Sequence, residues 1–387
     1  MTDPTQVIIA AAARTPMGSF MGCLSGVSAP ALGSAAIAAT LARAGIGAAL
    51  IDEVIMGCVL PAGLGQAPAR QAALGAGLPD AVPCSSISKV CGSGMKAVML
   101  AHDVIAAGSA KVVIAGGMES MSNAPYLLEK ARTGYRAGHG QILDHMFLDG
   151  LEDAYDKGRS MGMFAEECAD TYGFSREEQD AFALASLARA NAAIAAGRFA
   201  AEITPVGDVA QDEQPSRACP EKIPKLRPAF REGGTVTAAN SSSISDGGAA
   251  LLVTTFGQAQ AQGMTPLAAI CGHTSHAQAP NLFTTAPVFA IRKLLEKTGW
   301  SDKDVDLYEI NEAFAVVTMA AMRDLKLDHA KVNVNGGACA LGHPIGCSGA
   351  RIIVTLLAAL QDRGLKRGIA SLCIGGGEAT AMAFELM

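Results

Sequence analysis

The sequence predicts a layered α/β protein built from two similar halves, with a long insertion between them. Apolar stretches typical of buried strands alternate with helical stretches before residue 121 and again after residue 240. A glycine-rich motif at residues 114–120 is echoed at residues 373–379. Half of the 387 residues are hydrophobic and only 17% are charged. A chain with so few charges has much apolar surface to bury, both in its core and between subunits.

The first 120 residues contain the alternation expected of one α/β half. The apolar run from Val7 to Ala13 is typical of a buried strand and ends at Arg14-Thr15-Pro16. The further predicted elements are a helix over 31–44, a strand over 52–58, a short helix over 70–74, a helix that follows Cys91, and a strand over 111–115. This alternation predicts a mostly parallel sheet that is covered on both faces.

The insertion, residues 121–240, has a different texture. Charged residues and prolines become more frequent, and the alternation of strand and helix is lost. Two helices are predicted, over 160–172 and 175–197, and the second begins with the capping box Ser175 and Glu178. Long insertions in compact domains usually carry function, so this segment is expected to help form a binding site.

The alternation returns after residue 240. The predicted elements are a strand over 249–254, a helix over 287–298, a strand over 307–310, a helix that begins near Asn311 and runs through Arg323, a strand over 331–334, a helix over 348–362, and a strand over 369–374. In both halves a helix that opens on small residues precedes a strand that ends in glycines. Such a repeat would place the glycine-rich loops of the two halves in a common cleft.

Composition excludes several classes of protein. The net charge of −6 and the lack of a long basic run argue against nucleic acid as a partner. The apolar run that stops at Arg14 is too short to span a membrane and lacks a basic leader, so neither a membrane anchor nor a signal peptide is predicted. The ten cysteines include no C-x-x-C pair and no Cys/His cluster at zinc spacing. We therefore expect a cytoplasmic protein without a metal site.

The first candidate functional residue is Cys91, in the stretch Lys89 to Lys96. Small residues follow it, and then a helix begins, so the helix N-terminus is expected to point at the thiol and shift it toward thiolate. The alternative is that Cys91 is a small buried apolar residue, as most free cysteines are.

Three further residues are candidates, each with a structural alternative. The flanking Pro344 and Gly346 would fix the direction of the His343 imidazole, which could equally be a structural turn histidine. Cys373 precedes three glycines whose N–H groups could bind an anion, or it is simply a buried residue at a strand end. Asn311 could orient a water molecule or cap the helix that follows it.

Together these residues indicate a nucleophilic cysteine with acid–base chemistry at carbon. A cysteine with a histidine is an activated nucleophile. A second cysteine beside a glycine run suits proton transfer at carbon next to an oxyanion hole. A hydrolase of the nucleophile-elbow type is a weaker interpretation, because Cys91 does not stand at the centre of a G-x-C-x-G motif.

The chain resembles the thiolases, of the acetyl-CoA acetyltransferase and 3-ketoacyl-CoA thiolase kind. The similarity runs nearly from end to end, and its motifs occur in family order. They are Arg14-Thr15-Pro16, Val90-Cys91-Gly92-Ser93-Gly94, Gly116-Gly117-Met118-Glu119-Ser120-Met121-Ser122, Lys225-Leu226-Arg227-Pro228-Ala229-Phe230, Asn311-Glu312-Ala313-Phe314, Gly342-His343-Pro344-Ile345-Gly346 and Cys373-Ile374-Gly375-Gly376-Gly377.

The resemblance implies a five-layered αβαβα fold. Residues 1–120 and 241–265 would form the N-terminal half, residues 266–387 the C-terminal half, and residues 121–240 a loop domain that binds coenzyme A. It also implies a homodimer or homotetramer. The substrates would be acetyl-CoA, coenzyme A and short 3-ketoacyl-CoA, interconverted by reversible Claisen condensation and thiolysis without a further cofactor.

Roles for single residues follow from the same resemblance. Cys91 would carry the acyl group, His343 would activate Cys91, and Cys373 would exchange the α-proton of acetyl-CoA. Asn311 would hold a water molecule of one oxyanion hole, and the N–H groups of Cys91 and Gly375 would form the other. The residues expected to contact coenzyme A are Ser242, Met161 and Arg227.

Two positions depart from the family pattern. Ser160 stands where members that favour acetoacetyl-CoA have a histidine, and Ser243 replaces a common glycine of the coenzyme A loop. A thiolase of β-oxidation with a broader chain-length range is therefore an alternative to an acetyl-CoA C-acetyltransferase. A decarboxylating condensing enzyme would not need Cys373, and a silent acyl-CoA-binding protein would be expected to lack Cys91, His343 or Cys373.

Overall fold

The computed structural model describes residues 3–387. The part of the chain before the insertion contains β1 (Val7–Arg14), β2 (Gly18–Ser19), α1 (Ala29–Ala44), β3 (Glu53–Gly57), α2 (Pro68–Gly75), β4 (Cys84–Ile87), α3 (Ser93–Ala106) and β5 (Val112–Ser120). The insertion contains β6 (Tyr126–Leu128), β7 (Ile142–Asp144), a π-helical turn (Phe147–Leu151), α4 (Met161–Tyr172), α5 (Arg176–Ala195) and α6 (Gln214–Arg217). After it come β8 (Ser245–Thr255), α7 (Phe256–Ala261), β9 (Ala268–Ala277), α8 (Ala286–Thr298), β10 (Leu307–Ile310), α9 (Ala315–Leu325), α10 (Ala338–Leu341), α11 (Ile345–Arg363), β11 (Arg367–Ile374) and β12 (Glu378–Leu386).

Local sequence signals fix several helix ends. Ser28 caps α1, and Gly45 closes it with a φ of 67°, a conformation that glycine adopts without strain. The capping box predicted for α5 is present, since the Ser175 side chain accepts from the Glu178 N–H and the Glu178 carboxylate accepts from the Ser175 N–H.

The two halves share one hydrogen-bonded system of ten strands in the order β10-β11-β12-β9-β1-β8-β5-β3-β4, with β2 paired to β8. Short pairing between β1 and β9, at Ile8 with Ala269 and Ile9 with Ala268, joins the two halves. Helices α3 and α11 pack against each other between the two parts of the sheet, α1 and α2 cover the outer face of one part, and α8 covers the other. This arrangement confirms the predicted layered architecture with two similar halves.

The strand pairing shows how closely the halves correspond. In the first half β3 is parallel to β5, and β5 is antiparallel to β8. In the second half β10 is parallel to β11, and β11 is antiparallel to β12. The paired helices α3 and α11 immediately precede β5 and β11 in the chain. The loops at the ends of these equivalent strands therefore meet at one edge of the molecule.

The expectation of a mostly parallel sheet is wrong, because β8 and β12 return antiparallel to their neighbours. The strand predicted over 331–334 is also absent. Asn333 there has a φ of 49°, and its side chain bonds both the N–H and the C=O of Ile310, each at 2.8 Å, where a paired strand would otherwise lie. Sequence reasoning missed β4, β9 and β12, whose sequences mix polar and small residues.

One helix, α11, is long and apolar enough to cross a membrane by length and composition. Its apolar window is 83% buried inside the protein. The helix serves as a core element here, and its burial explains why it carries so few charges.

Candidate active site

A cavity of about 390 Å³ opens where the two halves and the insertion meet. Eight of the residues singled out from the sequence line it: Cys91, Ser160, Met161, Ser242, Ser243, His343, Cys373 and Gly375. Asn311 lies behind His343 and not in the wall, and Arg227 is exposed outside the cavity. Residues that are far apart in the chain therefore converge on one concave site.

The Cys91 turn is held by its own backbone and by Ser93. The Ser93 hydroxyl donates to the Val90 carbonyl at 2.7 Å and accepts from the Lys89 N–H at 2.8 Å. Val90 is forced to a φ of 46°, a left-handed conformation that strains a β-branched residue. The turn thereby presents Cys91, half-buried, two residues before α3 begins.

The expected shift of Cys91 toward thiolate is wrong. Burial raises the pKa of the thiol to about 11. The backbone N–H groups of Gly375 and of Cys91 itself lower the pKa of the thiol, while the Glu119 carboxylate raises it. Desolvation of the thiolate outweighs the groups that lower the pKa, so Cys91 is a neutral thiol.

Cys373 lies at the end of β11 and is only 1% exposed. Burial raises its pKa well above the usual range, and a negative charge on Cys91 would raise it further. The glycines that follow make the tight turn into β12. Gly377, with a φ of 88°, would bring an added Cβ within 2.3 Å of the Gln278 carbonyl, so only glycine fits there.

The turn that carries His343 is anchored on both sides. The His343 N–H donates to the Ser243 carbonyl at 3.0 Å. Gly342 has a φ of 103°, and an added Cβ would lie 2.1 Å from the Ser245 hydroxyl. The imidazole Nδ1 lies 2.6 Å from Ser348 Oγ, whose own hydroxyl hydrogen donates to the Pro344 carbonyl at 2.9 Å.

These contacts set the protonation state of His343. Since Ser348 uses its hydrogen on Pro344, it can only accept from Nδ1–H, which leaves Nε2 free to accept a proton. Burial, together with the positive charge of Arg351, lowers the pKa of His343 to about 3. His343 is therefore a neutral base with a defined tautomer.

Asn311 lies against the histidine. Its Nδ2 is 3.4 Å from His343 Nε2, and its backbone N–H donates to the Ser371 carbonyl at 3.0 Å. The alternative that Asn311 caps the following helix is wrong, because α9 begins at Ala315 with Phe314 at the cap. The Asn311 side-chain oxygen is buried and has no protein partner.

Two buried glutamates hold the site together, and sequence reasoning did not assign them a role. Glu119 accepts from the N–H groups of Val59, Leu60 and Gly346 at 2.9, 3.1 and 2.9 Å. It therefore ties β5 of one half to the His343 turn of the other. The sequence could have indicated both glutamates, because each is a carboxylate inside an otherwise apolar motif. Such a carboxylate is rarely buried unless hydrogen bonds or a charged partner satisfy it.

The second of these glutamates is Glu312, next to Asn311. It accepts from the Ser186 hydroxyl at 2.7 Å, the Asn333 amide at 2.8 Å and the Cys339 N–H at 3.1 Å. These donors come from the insertion, from the loop at Asn333 and from α10 of the second half. Glu312 thus fixes the backbone next to Asn311.

The remaining predicted residues divide into two groups. Ser242 is bonded to the Asn311 turn, since both its N–H and its hydroxyl donate to the Ala313 carbonyl at 2.9 Å. Met161 and Ser160 lie at the start of α4, and the Ser160 hydroxyl makes no capping bond. Arg227, in contrast, lies in the exposed stretch that follows Pro220–Lys225.

Apolar and aromatic side chains form most of the cavity wall. They are Phe147, Leu151, Phe230, Ile244, Phe283, Phe314 and Ile345. Such a wall excludes water and suits a slender, largely apolar group that ends at the two thiols. The site can hold an acyl group on Cys91 while a neutral base and a second thiol stand beside it.

Comparison with known proteins agrees with this geometry. Residues 7–256 match the model of the thiolase N-terminal domain, and residues 264–386 match that of the thiolase C-terminal domain. The chain is 51% identical over its whole length to acetyl-CoA acetyltransferase 2 of Arabidopsis thaliana, covering 98% of that protein. It is 50% identical over 97% of its length to acetyl-CoA acetyltransferase of Pseudomonas aeruginosa, again covering 98% of the relative.

A solved structure is also similar throughout. The thiolase of Ascaris suum, determined in complex with coenzyme A, superimposes with a TM-score of 0.94 at 40% identity, over 99% of this chain and 100% of that one. Both halves of the fold, the site motifs and these full-length relatives agree: the chain belongs to the thiolase family.

Proposed function

We propose that this protein is an acyl-CoA:acetyl-CoA C-acyltransferase that interconverts two acetyl-CoA molecules with a short 3-ketoacyl-CoA and coenzyme A, as an acetyl-CoA C-acetyltransferase. The observation that carries the proposal is the convergence of Cys91, His343 and Cys373 on one apolar cavity. The names of the full-length relatives and the coenzyme A complex of the Ascaris suum thiolase support it.

In the first step His343 Nε2 takes the proton of Cys91. The sulfur attacks the thioester carbon of an acyl-CoA, the bond between that carbon and the coenzyme A sulfur breaks, and the departing thiolate is protonated by His343. The N–H groups of Cys91 and Gly375, both of which lower the pKa of the Cys91 thiol, would stabilise the oxyanion. Each such donor contributes about 3–4 kcal/mol to the step it serves.

In the second step Cys373 gives its thiol proton to His343 Nε2, and the Cys373 thiolate then takes the α-proton of acetyl-CoA. The protonated Nε2 of His343 and a water molecule held by Asn311 would donate to the enolate oxygen. The carbanion attacks the acyl carbon on Cys91, the carbon–sulfur bond breaks, and the Cys91 thiolate takes the proton back from His343, which restores both thiols. The unpartnered Asn311 carboxamide oxygen supports this role, since a buried polar atom needs a partner.

Residues 121–240 would form the loop domain that holds coenzyme A. Residues 1–120 and 241–265 would form the N-terminal half, and residues 266–387 the C-terminal half. Ser242 and Met161 would contact the pantetheine arm inside the cavity. Arg227, exposed outside it, would meet the phosphate groups, and the neighbouring Lys222 and Lys225 add positive charge there.

A broader chain-length range is a second candidate activity, favoured by Ser160 in the cavity wall in place of a histidine. The enzyme would then also cleave longer 3-ketoacyl-CoA in fatty acid metabolism. The small Ser160 side chain leaves more room for an acyl chain in the cavity than an imidazole would. The thiolysis rates of four-, six- and eight-carbon substrates distinguish the two activities.

We further propose a cytoplasmic homodimer or homotetramer. All ten cysteines are free, as in a reducing compartment. The exposed side chains of Tyr126, Leu128 and Ile142 on the β6–β7 hairpin offer an apolar surface for association, and β4 leaves one sheet edge open. Sedimentation of the purified protein tests the oligomeric state.

The catalytic proposal is tested by mass spectrometry after mixing with acetyl-CoA. A stable adduct of one acetyl group on Cys91, together with thiolysis that is lost in Cys91→Ala, is expected. Binding of acetyl-CoA without an adduct would instead indicate a silent binding protein, and full activity of Cys91→Ala would overturn the assignment. Activity only with malonyl thioesters on a carrier protein would indicate a decarboxylating condensing enzyme.

A further inference from the structure

We propose that His102, Asp103 and His273 form a binding site for one divalent transition-metal ion of the zinc type. His102 and Asp103 lie near the end of α3, in the first half, and His273 lies on β9, in the second half. The sequence predicted no metal site, because His273 is 170 residues from Asp103 and no spacing rule joins them.

The ligand atoms already converge. His102 Nδ1 is 3.1 Å from Asp103 Oδ1, His273 Nε2 is 2.9 Å from the same oxygen, and the two nitrogens are 3.3 Å apart. Ligand atoms at two corners of a tetrahedral zinc site are separated by about 3.3 Å when the bonds are about 2.0–2.1 Å long. An ion can therefore sit above this triangle with little movement of the three side chains.

No other group of three or more His, Cys, Asp or Glu side chains brings its ligand atoms together in this way within residues 3–387. Two imidazole nitrogens and one carboxylate oxygen suit zinc, cobalt or nickel better than magnesium or calcium, which prefer oxygen ligands. The side chains of His102, Asp103 and His273 are 23%, 50% and 13% exposed, so an ion can enter from solvent and keep water as its remaining ligands.

Asp103 Oδ1 lies within hydrogen-bond distance of both imidazole nitrogens, at 3.1 Å from His102 Nδ1 and 2.9 Å from His273 Nε2. A metal ion would replace the protons in these contacts, because a ligating nitrogen carries no proton. The Lys297 side chain donates to the His273 carbonyl, 3.1 Å from its Nζ, so its charge is directed at the backbone of β9.

A bound ion would link the helix that follows the nucleophile turn to the first strand of the other half. The three ligands do not line the catalytic cavity, so the ion is expected to stabilise the fold and not to enter the reaction. An ion that binds only the folded chain raises the temperature of unfolding.

The test is titration of the whole, chelator-treated enzyme with Co²⁺. We expect one ion per chain, a visible ligand-field absorption without a sulfur-to-cobalt band, displacement by Zn²⁺, and an unfolding temperature raised by about 2 °C or more. His102→Ala and His273→Ala should each weaken binding at least about tenfold, since a metal–ligand bond contributes more free energy than that factor. His276→Ala, on the same strand outside the triangle, is the matched control and should bind like the wild type.

Two results would overturn the proposal. One is unchanged affinity in His273→Ala, or an absorption band from sulfur ligands, which would place the ion on cysteines elsewhere. The other is no saturable binding by the wild type at millimolar Co²⁺. Circular dichroism and thiolysis of each variant, which we expect to stay at wild-type values, show that loss of binding does not reflect misfolding.

Discussion

The Nδ1 atom of His343 lies 2.6 Å from the hydroxyl oxygen of Ser348, and that hydroxyl can act only as an acceptor because it donates to the Pro344 carbonyl. A single serine therefore decides which imidazole nitrogen is available to take a proton. His343 and Ser348 come from one turn and the first part of one helix, so the base and the group that orients it move together. This pair gives the first prediction.

Ser348→Ala should lower kcat for thiolysis by about 10²-fold, near the lower end of what a general acid–base group contributes, because the imidazole loses its preferred tautomer. KM and the unfolding temperature should change little. Thr355→Val, on the same helix, is the matched control, since its hydroxyl lies 3.2 Å from Glu202 and not near His343. Equal kcat values for the two variants would contradict the role of Ser348.

The Cys91 thiol should remain protonated across the neutral range. A pKa raised to about 11 means that the thiolate becomes populated only in strongly alkaline solution. The difference in ultraviolet thiolate absorbance between the wild type and Cys91→Ser should therefore show no step between about pH 6 and pH 9, although a free cysteine titrates there. A step near neutral pH would show that the helix N-terminus outweighs burial.

Glu119 should make stability depend on pH. Burial, opposed by the backbone N–H groups of Val59, Leu60 and Gly346, raises its pKa from a usual value of 4.5 to about 7. A raised carboxyl pKa gives stability that is fully present below the unfolded value and is lost as the pH rises through the folded value. The shift corresponds to about 3 kcal/mol.

The measurement is guanidinium unfolding of the wild type and Glu119→Gln at several pH values. The variant cannot titrate, and its amide faces backbone donors, so it should be less stable at pH 4.5. The difference should shrink by about 3 kcal/mol between pH 4.5 and pH 8. Glu53→Gln on the neighbouring β3 is the control. A constant difference would show that the pKa of Glu119 is the same in the folded and the unfolded chain.

Ser160 should influence substrate length. Ser160→His fills part of the space at the cavity wall. The kcat/KM for six- and eight-carbon 3-ketoacyl-CoA should therefore fall about tenfold or more relative to the four-carbon substrate. This is the size of discrimination that one methylene group produces in a closed pocket. Ser160→Ala keeps the space and should retain the wild-type ratios. If the ratios in Ser160→His equal those of the wild type, another part of the wall sets the chain length.

Gly342 should not tolerate a side chain. Gly342→Ala combines a φ of 103° with a contact of 2.1 Å to Ser245 Oγ, so the His343 turn must move. We expect a loss of more than about 2 kcal/mol of stability and a fall in kcat. Gly364→Ala is the matched control, because Gly364 closes α11, the helix that follows the His343 turn, at a φ of 62° with open space around it. Equal losses in the two variants would mean that strain alone explains the effect.

Much of the site is readable from the sequence because its residues stand in short motifs. Cys91 and His343 lie in turns and Cys373 lies at a strand end, and in each case neighbouring glycines or prolines set the course of the backbone. Local sequence therefore reveals where these side chains are held in a set direction. The repeat of a helix followed by a glycine-ended strand likewise predicted two similar halves. The capping box of α5 and the glycine that closes α1 are local effects of the same kind.

Other features depend on partners that are distant in the chain. The antiparallel course of β8 and β12 is decided by which strands they join, and the missing strand at 331–334 by the bonds of Asn333 to Ile310. The position of Arg227 outside the cavity could not be read from its motif.

The sequence by itself therefore determined the class of fold, the two halves and most of the predicted side chains that meet in the cavity, since these follow from local patterns. Only the tertiary structure decided the charge states of these side chains and the hydrogen bonds that hold their turns in place. Burial holds Cys91 and His343 neutral, and Glu119 joins halves that no local pattern connects. The convergence of His102 and Asp103 with His273 was decided in the same way. Desolvation and long-range contact depend on what surrounds a group in space, and that environment exists only once the chain has folded.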